Sequence, residues 1–251
     1  MYKLALLFLT FNPTISIKPT KYYYDPRIHN FGNIGLGGQL HALLAPHATT
    51  IIDNKCYNSI NIRQLILSKY NQEFYNKHEK LPKIIDLCCG TGTSTAINQL
   101  GIDTSEAMLS EAILSKAIKS QTIKSQTIKS KTTTQFLKGN AENYGQPQEF
   151  DTATLMFAFH EMPNYAHHKI IKNAKKITKH DIIIVDINPN YTPSALMLSG
   201  EPYLLNYKST IHNILTKHQF SYLEYIPNHV GLWYYSHNQN QINLTQLFNH
   251  K

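Results

Sequence analysis

The segment KIIDLCCGTG (Lys83–Gly92) joins a short apolar run to a Gly-Thr-Gly turn. The run follows Pro82 and has the length and composition of a fully buried strand. Because Gly90 and Gly92 lack a Cβ atom, such a turn lets the backbone approach a ligand closely at the carboxyl edge of a sheet. We expect a helix to begin near Ser94, with free N–H groups in its first turn. The segment therefore predicts an α/β fold with a ligand site at the end of this strand.

Strand and helix patterns alternate along the chain after this segment. Short β-compatible runs occur at 100–103, 135–141, 150–159 and 181–187, with helical patterns at 105–116, 167–179 and 203–215. This alternation needs crossover connections, which indicate a mostly parallel sheet with helices on both faces. The last two β-rich runs, FSYLEYI and VGLWYYS, are separated only by PNH, which suits an antiparallel hairpin. The sequence therefore predicts a parallel sheet that ends in a hairpin.

The composition is that of a globular chain. Its 251 residues are 42% hydrophobic and 16% charged, which fits one α/β domain better than a disordered or membrane-embedded protein. No apolar run is long enough for a transmembrane segment.

The net charge of +8 includes an acid-free, lysine-rich stretch at 116–134 that repeats IKSQT every five residues. This period matches neither a packed helix nor a strand, so we interpret the stretch as a solvated low-complexity insertion. An arm that binds RNA or another acidic partner is the alternative. Nucleic acid is therefore not the favoured partner.

Residues 1–21 form a candidate leader or tail. MYKLALLFLTFNPTIS places Lys3 before an apolar run at 4–11, with Thr14 and Ser16 at the spacing of a cleavage site, although an N-terminal strand or buried tail also fits. The three cysteines form neither a disulfide framework nor a metal-binding spacing, which favours a reducing, intracellular compartment. Residues 22–80 then form a segment before the core, with a helical pattern at 62–75, and residues 81–251 form the core.

Four segments resemble motifs of class I S-adenosylmethionine-dependent methyltransferases, including those of the menaquinone and ubiquinone type. DLCCGTG resembles the first motif, and GIDTSEAML (Gly101–Leu109), GNAEN (Gly139–Asn143) and FDTATLMFAFHEMP (Phe150–Pro163) follow in the family's order. Four motifs in order are more specific than one glycine turn. The resemblance implies a Rossmann-like α/β fold whose seven-stranded, mostly parallel sheet ends in a C-terminal antiparallel hairpin. It also implies S-adenosyl-L-methionine as the cofactor.

The resemblance assigns parts of the cofactor to individual residues. The acidic residue and glycine turn of the first motif hold the methionine part, Asp103 accepts hydrogen bonds from both ribose hydroxyls, and Asn140 meets the adenine amino group. The cofactor-binding residues implied in this way are Asp86, Cys88, Gly90, Gly92, Asp103, Thr104, Met108, Asn140, Ala141 and Phe157.

The chain departs from the family pattern between Gly92 and Asp103. Only ten residues lie between them, where the family has a full helix and a complete strand. The sequence predicts a first helix of about two turns followed by a short strand LGI, unless a segment has been lost by deletion. Asn140 is a second departure, because many relatives carry an acid there.

His160 is the candidate general base, since it directly follows the fourth motif's strand and titrates near neutral pH. A core or capping histidine is the alternative. Glu161 either orients His160 or, as we favour, caps the next helix near Asn164. No histidine or cysteine spacing indicates a metal site.

The candidate substrate residues lie in two segments. Tyr24, Arg27 and His29 belong to an aromatic and charged cluster before the core, where related enzymes carry a lid, and Tyr203 and Tyr207 follow the fifth strand. Ordinary packing is the alternative for both groups. The leading hypothesis is methyl transfer to a small-molecule acceptor of apolar or aromatic character. An RNA or protein methyltransferase that uses the basic insertion and a non-catalytic cofactor-binding module are the alternatives.

Overall fold

A computed structural model describes residues 21–97, 99–123, 134–238 and 248. Residues 1–20 of the predicted leader and residues 124–133 of the predicted insertion lie outside the described residues.

The segment before the core contains two long helices. Two 3₁₀ turns, Tyr22–Tyr24 and Ile28–Asn30, lead into helix α1 (Gly35–Cys56), which is followed by α2 (Ile62–His78). The sequence predicted α2 but not α1. Helix α1 begins at a glycine and contains Pro46, and both residue types normally indicate a turn or an interrupted helix.

The core alternates strands and helices as the sequence predicted. Its elements are β1 (Ile84–Leu87), β2 (Leu100–Asp103), α3 (Glu106–Ile123), β3 (Gln135–Lys138), β4 (Phe150–Met156), a 3₁₀ turn (Phe159–Glu161), α4 (Asn164–Ile177), β5 (Thr178–Ile187), α5 (Ala195–Gly200), α6 (Leu204–Lys217), β6 (Ser221–Ile226) and β7 (Val230–Ser236). They form one seven-stranded sheet in the order β3-β2-β1-β4-β5-β7-β6. Only β7 is antiparallel to its neighbours, β5 and β6, so the predicted mostly parallel sheet with a C-terminal hairpin is confirmed.

Helices cover both faces of the sheet. Along β5, Ile182 and Ile184 pack into one apolar cluster, which contains α4 and α6. The alternate residues Ile183 and Val185 pack into the other cluster, which contains α2. Successive strand residues point to opposite faces, so β5 is buried on both sides, as parallel strands usually are.

No helix forms between β1 and β2 among the described residues, so the predicted two-turn helix is wrong. Residues 93–97 form bends and a turn held by side chains: the Gln99 amide oxygen accepts from the Ala96 N–H, and the Gln64 amide donates to the Thr93 carbonyl. The ten intervening residues leave too little chain for a stable helix once β2 is formed. The short strand LGI was predicted and lies in β2.

The predicted insertion at 116–134 also differs from the structure at its start. Helix α3 continues to Ile123, so the first residues of the lysine-rich repeat are helical. Lysine, glutamine and alanine tolerate a helix well, and this local preference outweighs the five-residue period.

Candidate functional site

The candidate site lies at the carboxyl ends of β1 and β4, the neighbouring strands where the strand order reverses. Chains leaving the two strands separate at such a point and leave a crevice, which is where open α/β sheets bind ligands. The loops after β1, β2, β3 and β4 carry all the predicted cofactor residues except Met108, in the first turns of α3, and Asp86 and Asp103, which lie within strands β1 and β2.

The glycine turn after β1 has a left-handed backbone at alternate positions. Cys88, Gly90 and Gly92 have φ angles of 59°, 52° and 73°. A Cβ atom added to Gly92 would lie 2.6 Å from Cζ of Phe136, whereas one added to Gly90 would meet no atom within 4 Å. Gly92 therefore serves close packing, and Gly90 borders open space that a ligand can fill. Burial and the nearby Asp103 carboxylate raise the pKa of the Cys88 thiol, so it stays neutral.

Asp86 is fully buried and its carboxylate is occupied by three hydroxyl groups. Ser94 and Thr95 donate to Oδ2 at 2.8 and 2.6 Å, and Thr154 on β4 donates to Oδ1 at 3.0 Å. Burial raises the pKa of Asp86, while these hydrogen bonds oppose the shift. The Asp86 carboxylate on β1 thus binds both residues 94–95, which lie where a helix was predicted, and strand β4.

Asp103 reaches the glycine turn despite the short connection. Its Oδ2 accepts a 2.9 Å hydrogen bond from the Gly90 N–H, and its Oδ1 accepts one of 2.8 Å from the Ser105 N–H. Burial raises the pKa of Asp103 to about 6, against the effect of these backbone donors. Each carboxylate oxygen has a further lone pair that a ribose hydroxyl can use. Thr104 follows directly, and Met108 is buried one turn into α3.

Asn140 and Ala141 form the turn after β3. The Asn140 side-chain oxygen accepts from the Glu142 N–H at 2.9 Å, which makes an Asx turn, and Ala141 is buried. Phe157, after β4, has a φ of 57°, and the Arg63 guanidinium lies over its ring at 4.2 Å. Arg63 is itself buried and paired with Asp53 at 3.2 Å. This cation–π contact fixes the ring at the strand end.

His160 forms a buried pair with Asp186, the penultimate residue of β5. The His160 Nδ1 atom lies 2.6 Å from Asp186 Oδ1, while Asp186 Oδ2 accepts from the backbone N–H groups of Phe159 and His160 at 2.7 and 3.3 Å. Burial opposes charge on the imidazole, but the Asp186 carboxylate outweighs it and raises the pKa of His160 to about 9. The His160 Nε2 atom has no hydrogen-bond partner among the described residues.

The segment before the core is fastened to the core by His29. Its Nε2 atom lies 2.9 Å from Glu161 Oε1 and its Nδ1 atom lies 2.9 Å from Glu201 Oε1. Burial lowers the pKa of His29, but Glu161 and Glu201 outweigh it and raise the pKa well above its ordinary value. His29 in turn helps lower the pKa of Glu161 to about 2 against its burial. Glu161 is not a helix cap, because Pro163 holds the N-cap position of α4 without a side-chain bond.

The same segment is fastened at a second point near β2. The Ser105 hydroxyl donates to the Asn33 carbonyl at 3.2 Å. Residues 29–33 therefore run from the end of β4 to the end of β2 and cross the end of β1, which lies between those strands in the sheet. We call residues 29–33 the strap.

The remaining predicted substrate residues are not all in one place. Arg27 and Tyr203 both bind the buried Asp25 carboxylate, at 2.6 and 3.0 Å, and Tyr24 is half-buried against the ring of Tyr23. Tyr207 is fully buried, and its hydroxyl donates to the Ile187 carbonyl at 2.7 Å. Tyr207 thus packs beside His160, with ring centroids 6.3 Å apart, as a core residue.

Sequence reasoning missed two acids at the site. Asp186 was visible as a charged residue inside the apolar run IIIVDI, where an unpaired acid would be costly. Glu201 offered no such signal, because its partner His29 is far away in the chain. The second oxygen of Glu201, Oε2, is buried without a partner in the part of the chain that the structure describes.

Neither a metal-binding cluster nor a membrane-crossing helix occurs among the described residues. No cluster of three or more histidine, cysteine or acidic side chains there is arranged to hold a metal ion. Among the same residues, no helix combines the length and the apolar character needed to cross a lipid bilayer.

The model of the ubiE/COQ5 methyltransferase family matches residues 54–223. No curated protein matches the chain significantly. Solved structures with a similar fold include magnesium protoporphyrin IX methyltransferase (ChlM) from Synechocystis PCC 6803 with bound SAM, with 14% identity, 76% of this chain and 95% of that chain covered, and a TM-score of 0.47. The PH0226 protein from Pyrococcus horikoshii OT3 has 16% identity, with 74% and 95% covered and a TM-score of 0.47. The plantazolicin methyltransferase BpumL in complex with SAH has 15% identity, with 78% and 92% covered and a TM-score of 0.48.

Proposed function

Because this chain belongs to the ubiE/COQ5 methyltransferase family and is thus an S-adenosylmethionine-dependent methyltransferase, we propose that it methylates a small, apolar or aromatic molecule at a hydroxyl or amine group. The family match sets aside the alternative of a non-catalytic module. The strap is the observation that carries the proposal. A segment fastened at both ends across the end of β1 narrows access to this edge of the sheet, which suits a small acceptor better than an RNA or a folded protein.

The residues at the glycine turn fit the cofactor. The open space at Gly90 admits the methionine part, the free lone pairs of Asp103 accept from the ribose hydroxyls, and Asn140 and Ala141 face the adenine side. The cofactor, when bound, supplies a methyl group on a sulfonium, which an acceptor displaces in line. The protein's task is therefore mainly to align the acceptor and exclude water.

His160 is the group that takes the acceptor's proton in this proposal. Asp186 holds Nδ1 in its protonated form, so that Nε2 accepts the proton once the imidazole is neutral. The pKa of about 9 leaves most of the free enzyme's His160 charged at neutral pH. A positive charge placed beside His160 disfavours the imidazolium and increases the neutral fraction of this side chain.

Glu201 positions the acceptor in this proposal. Its buried Oε2 atom lacks a donor among the described residues, and a buried carboxylate oxygen is costly without one. A hydroxyl or amine on the acceptor supplies this donor. The ring of Tyr207, a core residue beside His160 with ring centroids 6.3 Å apart, gives this region an aromatic wall that suits an apolar body.

Methyl transfer from radiolabelled cofactor tests the proposal. The protein is incubated with a small-metabolite extract and, separately, with total RNA and total protein, and the label is followed. We expect label in the small-molecule fraction with the wild type and none with His160→Ala, which should still bind S-adenosylhomocysteine in calorimetry. Label in RNA or protein alone would refute the small acceptor while leaving the methyltransferase assignment intact.

A further inference from the structure

Helix α1 has its apolar side turned towards water. Its buried residues are small or polar, namely Gly38, His41, Ala42 and Asp53. Its exposed residues include Leu36, Leu40, Leu43, Leu44 and Ile51, and Leu36 retains 84% of its accessible surface. An ordinary surface helix has the opposite arrangement, with apolar residues facing the core.

Five of the exposed apolar residues of α1 lie on one side of the helix, which they share with the exposed His47, while the exposed Ile52 lies on another side. At about 100° per residue, Leu36, Leu40, Leu43, Leu44 and Ile51 fall within an arc of about 100° on the side opposite the buried residues. We call these five residues the α1 stripe. Contiguous exposed patches of this kind mark interaction sites, because scattered single apolar residues suffice for an ordinary surface.

The stripe lies in an uncharged part of a basic chain. Residues 35–52 contain no lysine, arginine, aspartate or glutamate, although 16% of the chain is charged and its net charge is +8. The helix is therefore free of the charged groups that resist transfer into an apolar phase, while the protein as a whole is attracted to negative surfaces.

We propose that α1 docks the protein onto an anionic lipid surface, with the α1 stripe inserted among the acyl chains below the headgroups. An amphipathic helix lying in the interface needs only one apolar face, buried by about 5–10 Å, and anionic lipids attract a basic protein towards it.

A second copy of this chain is the less suitable occupant. A standard protein interface uses about 20–30 residues per partner, far more than the five of the stripe, and two chains of net charge +8 repel one another. An anionic lipid surface fits both observations. A narrow apolar stripe is enough for insertion, and the negative lipid charge attracts a chain of net charge +8.

Helix α1 contacts the strap through a pair of histidine rings. His41 is on the buried side of α1, and its ring lies 4.2 Å from that of His29, which holds the strap on Glu161 and Glu201. Docking on the membrane would therefore restrict the movement of the helix that contacts the strap, whatever acceptor the enzyme uses.

Vesicle flotation with the full chain tests the proposal. Vesicles of equal parts phosphatidylglycerol and phosphatidylcholine are compared with pure phosphatidylcholine, using Leu43→Glu as the test variant and Leu81→Glu as the control. Leu81 is 65% exposed in the connection before β1, away from the α1 stripe. We expect the wild type and Leu81→Glu to float with the anionic vesicles only, and Leu43→Glu to bind at least about tenfold more weakly, since it loses an inserted side chain and gains a repelled charge.

A fluorescence measurement makes the insertion visible. Leu36→Trp adds an exposed indole to a chain whose other tryptophan, Trp233, is 1% exposed. Its emission should shift to the blue on addition of anionic vesicles. Equal binding of wild type and Leu43→Glu would overturn the role of the stripe, and equal binding to both vesicle types would overturn the anionic preference. A new indole already shielded from a water-soluble quencher without vesicles would show that a second copy or another part of the chain covers the stripe.

Discussion

Adding a side chain at Gly90 should abolish cofactor binding with little loss of stability. A Cβ atom there meets nothing within 4 Å, so the first side-chain atom of Gly90→Val fits without a clash in the free protein. The remaining cost is the left-handed backbone at φ 52°, about 1–2 kcal/mol for a residue with a side chain, which lowers the Tm by roughly 2–8 °C in a chain of this size. In the proposed site, the isopropyl group would occupy the open space assigned to the methionine part of the cofactor. We expect the affinity for S-adenosylhomocysteine to fall at least about 100-fold, or about 2.7 kcal/mol.

Gly35→Val is the matched control for this prediction. Gly35 has a φ of 59°, also has no atom within 4 Å of an added Cβ, and lies exposed at the start of α1. The two variants should therefore lose similar stability in thermal denaturation, while only Gly90→Val loses binding in titration calorimetry. Wild-type affinity in Gly90→Val, or an equal loss in Gly35→Val, would refute the assignment of the open space to the cofactor.

Three further predictions concern charge and proton transfer. Burial raises the pKa of Asp103 to about 6, and in the proposed site its ionised form accepts hydrogen bonds from the ribose hydroxyls. Cofactor affinity should therefore be constant above about pH 7 and weaken as pH falls through 6. The Asp103→Asn variant should bind the cofactor weakly at every pH. His160→Gln should keep calorimetric affinity for S-adenosylhomocysteine and lose the rise in kcat/KM towards pH 9 that the wild type shows, because kcat/KM reports the free enzyme. An unchanged pH profile would exclude His160 as the base. Glu161→Gln removes the ion pair between Glu161 and His29, both of which are partly exposed, at a cost of about 1 kcal/mol. Proteolysis within residues 22–34 should therefore accelerate about fivefold. An equal acceleration of cleavage in β6 and β7 would indicate general unfolding instead. Because the pKa of Glu161 is lowered from 4.5 to about 2 and that of His29 is raised well above 6.5, the stability from this ion pair is complete between about pH 4.5 and 6.5. It declines as pH falls from 4.5 towards 2 and as pH rises from 6.5 through the His29 pKa.

The sheet and the motif loops were predictable because their signals are local. A few consecutive residues are enough to indicate a buried parallel strand such as DIIIVDI, or a hairpin whose two strands are separated only by PNH. The second strand of that hairpin, Val230–Ser236, forms β7 as predicted. The family resemblance and the cofactor are confirmed by the match to the ubiE/COQ5 methyltransferase family over residues 54–223.

Features that depend on distant partners were not predictable. Helix α1 contradicts its own glycine and proline content, and packing over α3 decides its conformation. Residues 93–97 form no helix, and their conformation is held by Asp86, which accepts hydrogen bonds from Ser94 and Thr95 in this segment and from Thr154 on β4. The hydrogen bond to β4 joins residues far apart in the sequence. His29 and Glu201 are joined only in the folded chain, so no spacing in the sequence indicates the strap.

The strap has a consequence for the order of events in the catalytic cycle. It is fastened at both ends, near Glu161 and near Ser105, and it crosses the end of β1, where the proposed cofactor site lies. His29 and Asn30 at its start have left-handed backbones, and we expect the bonds around them to rotate when the ion pairs of His29 open. Each turnover then includes one opening and one closing of the strap. We expect the speed of that movement, rather than the displacement at sulfur, to set the pace of the enzyme, and added solvent viscosity to slow it.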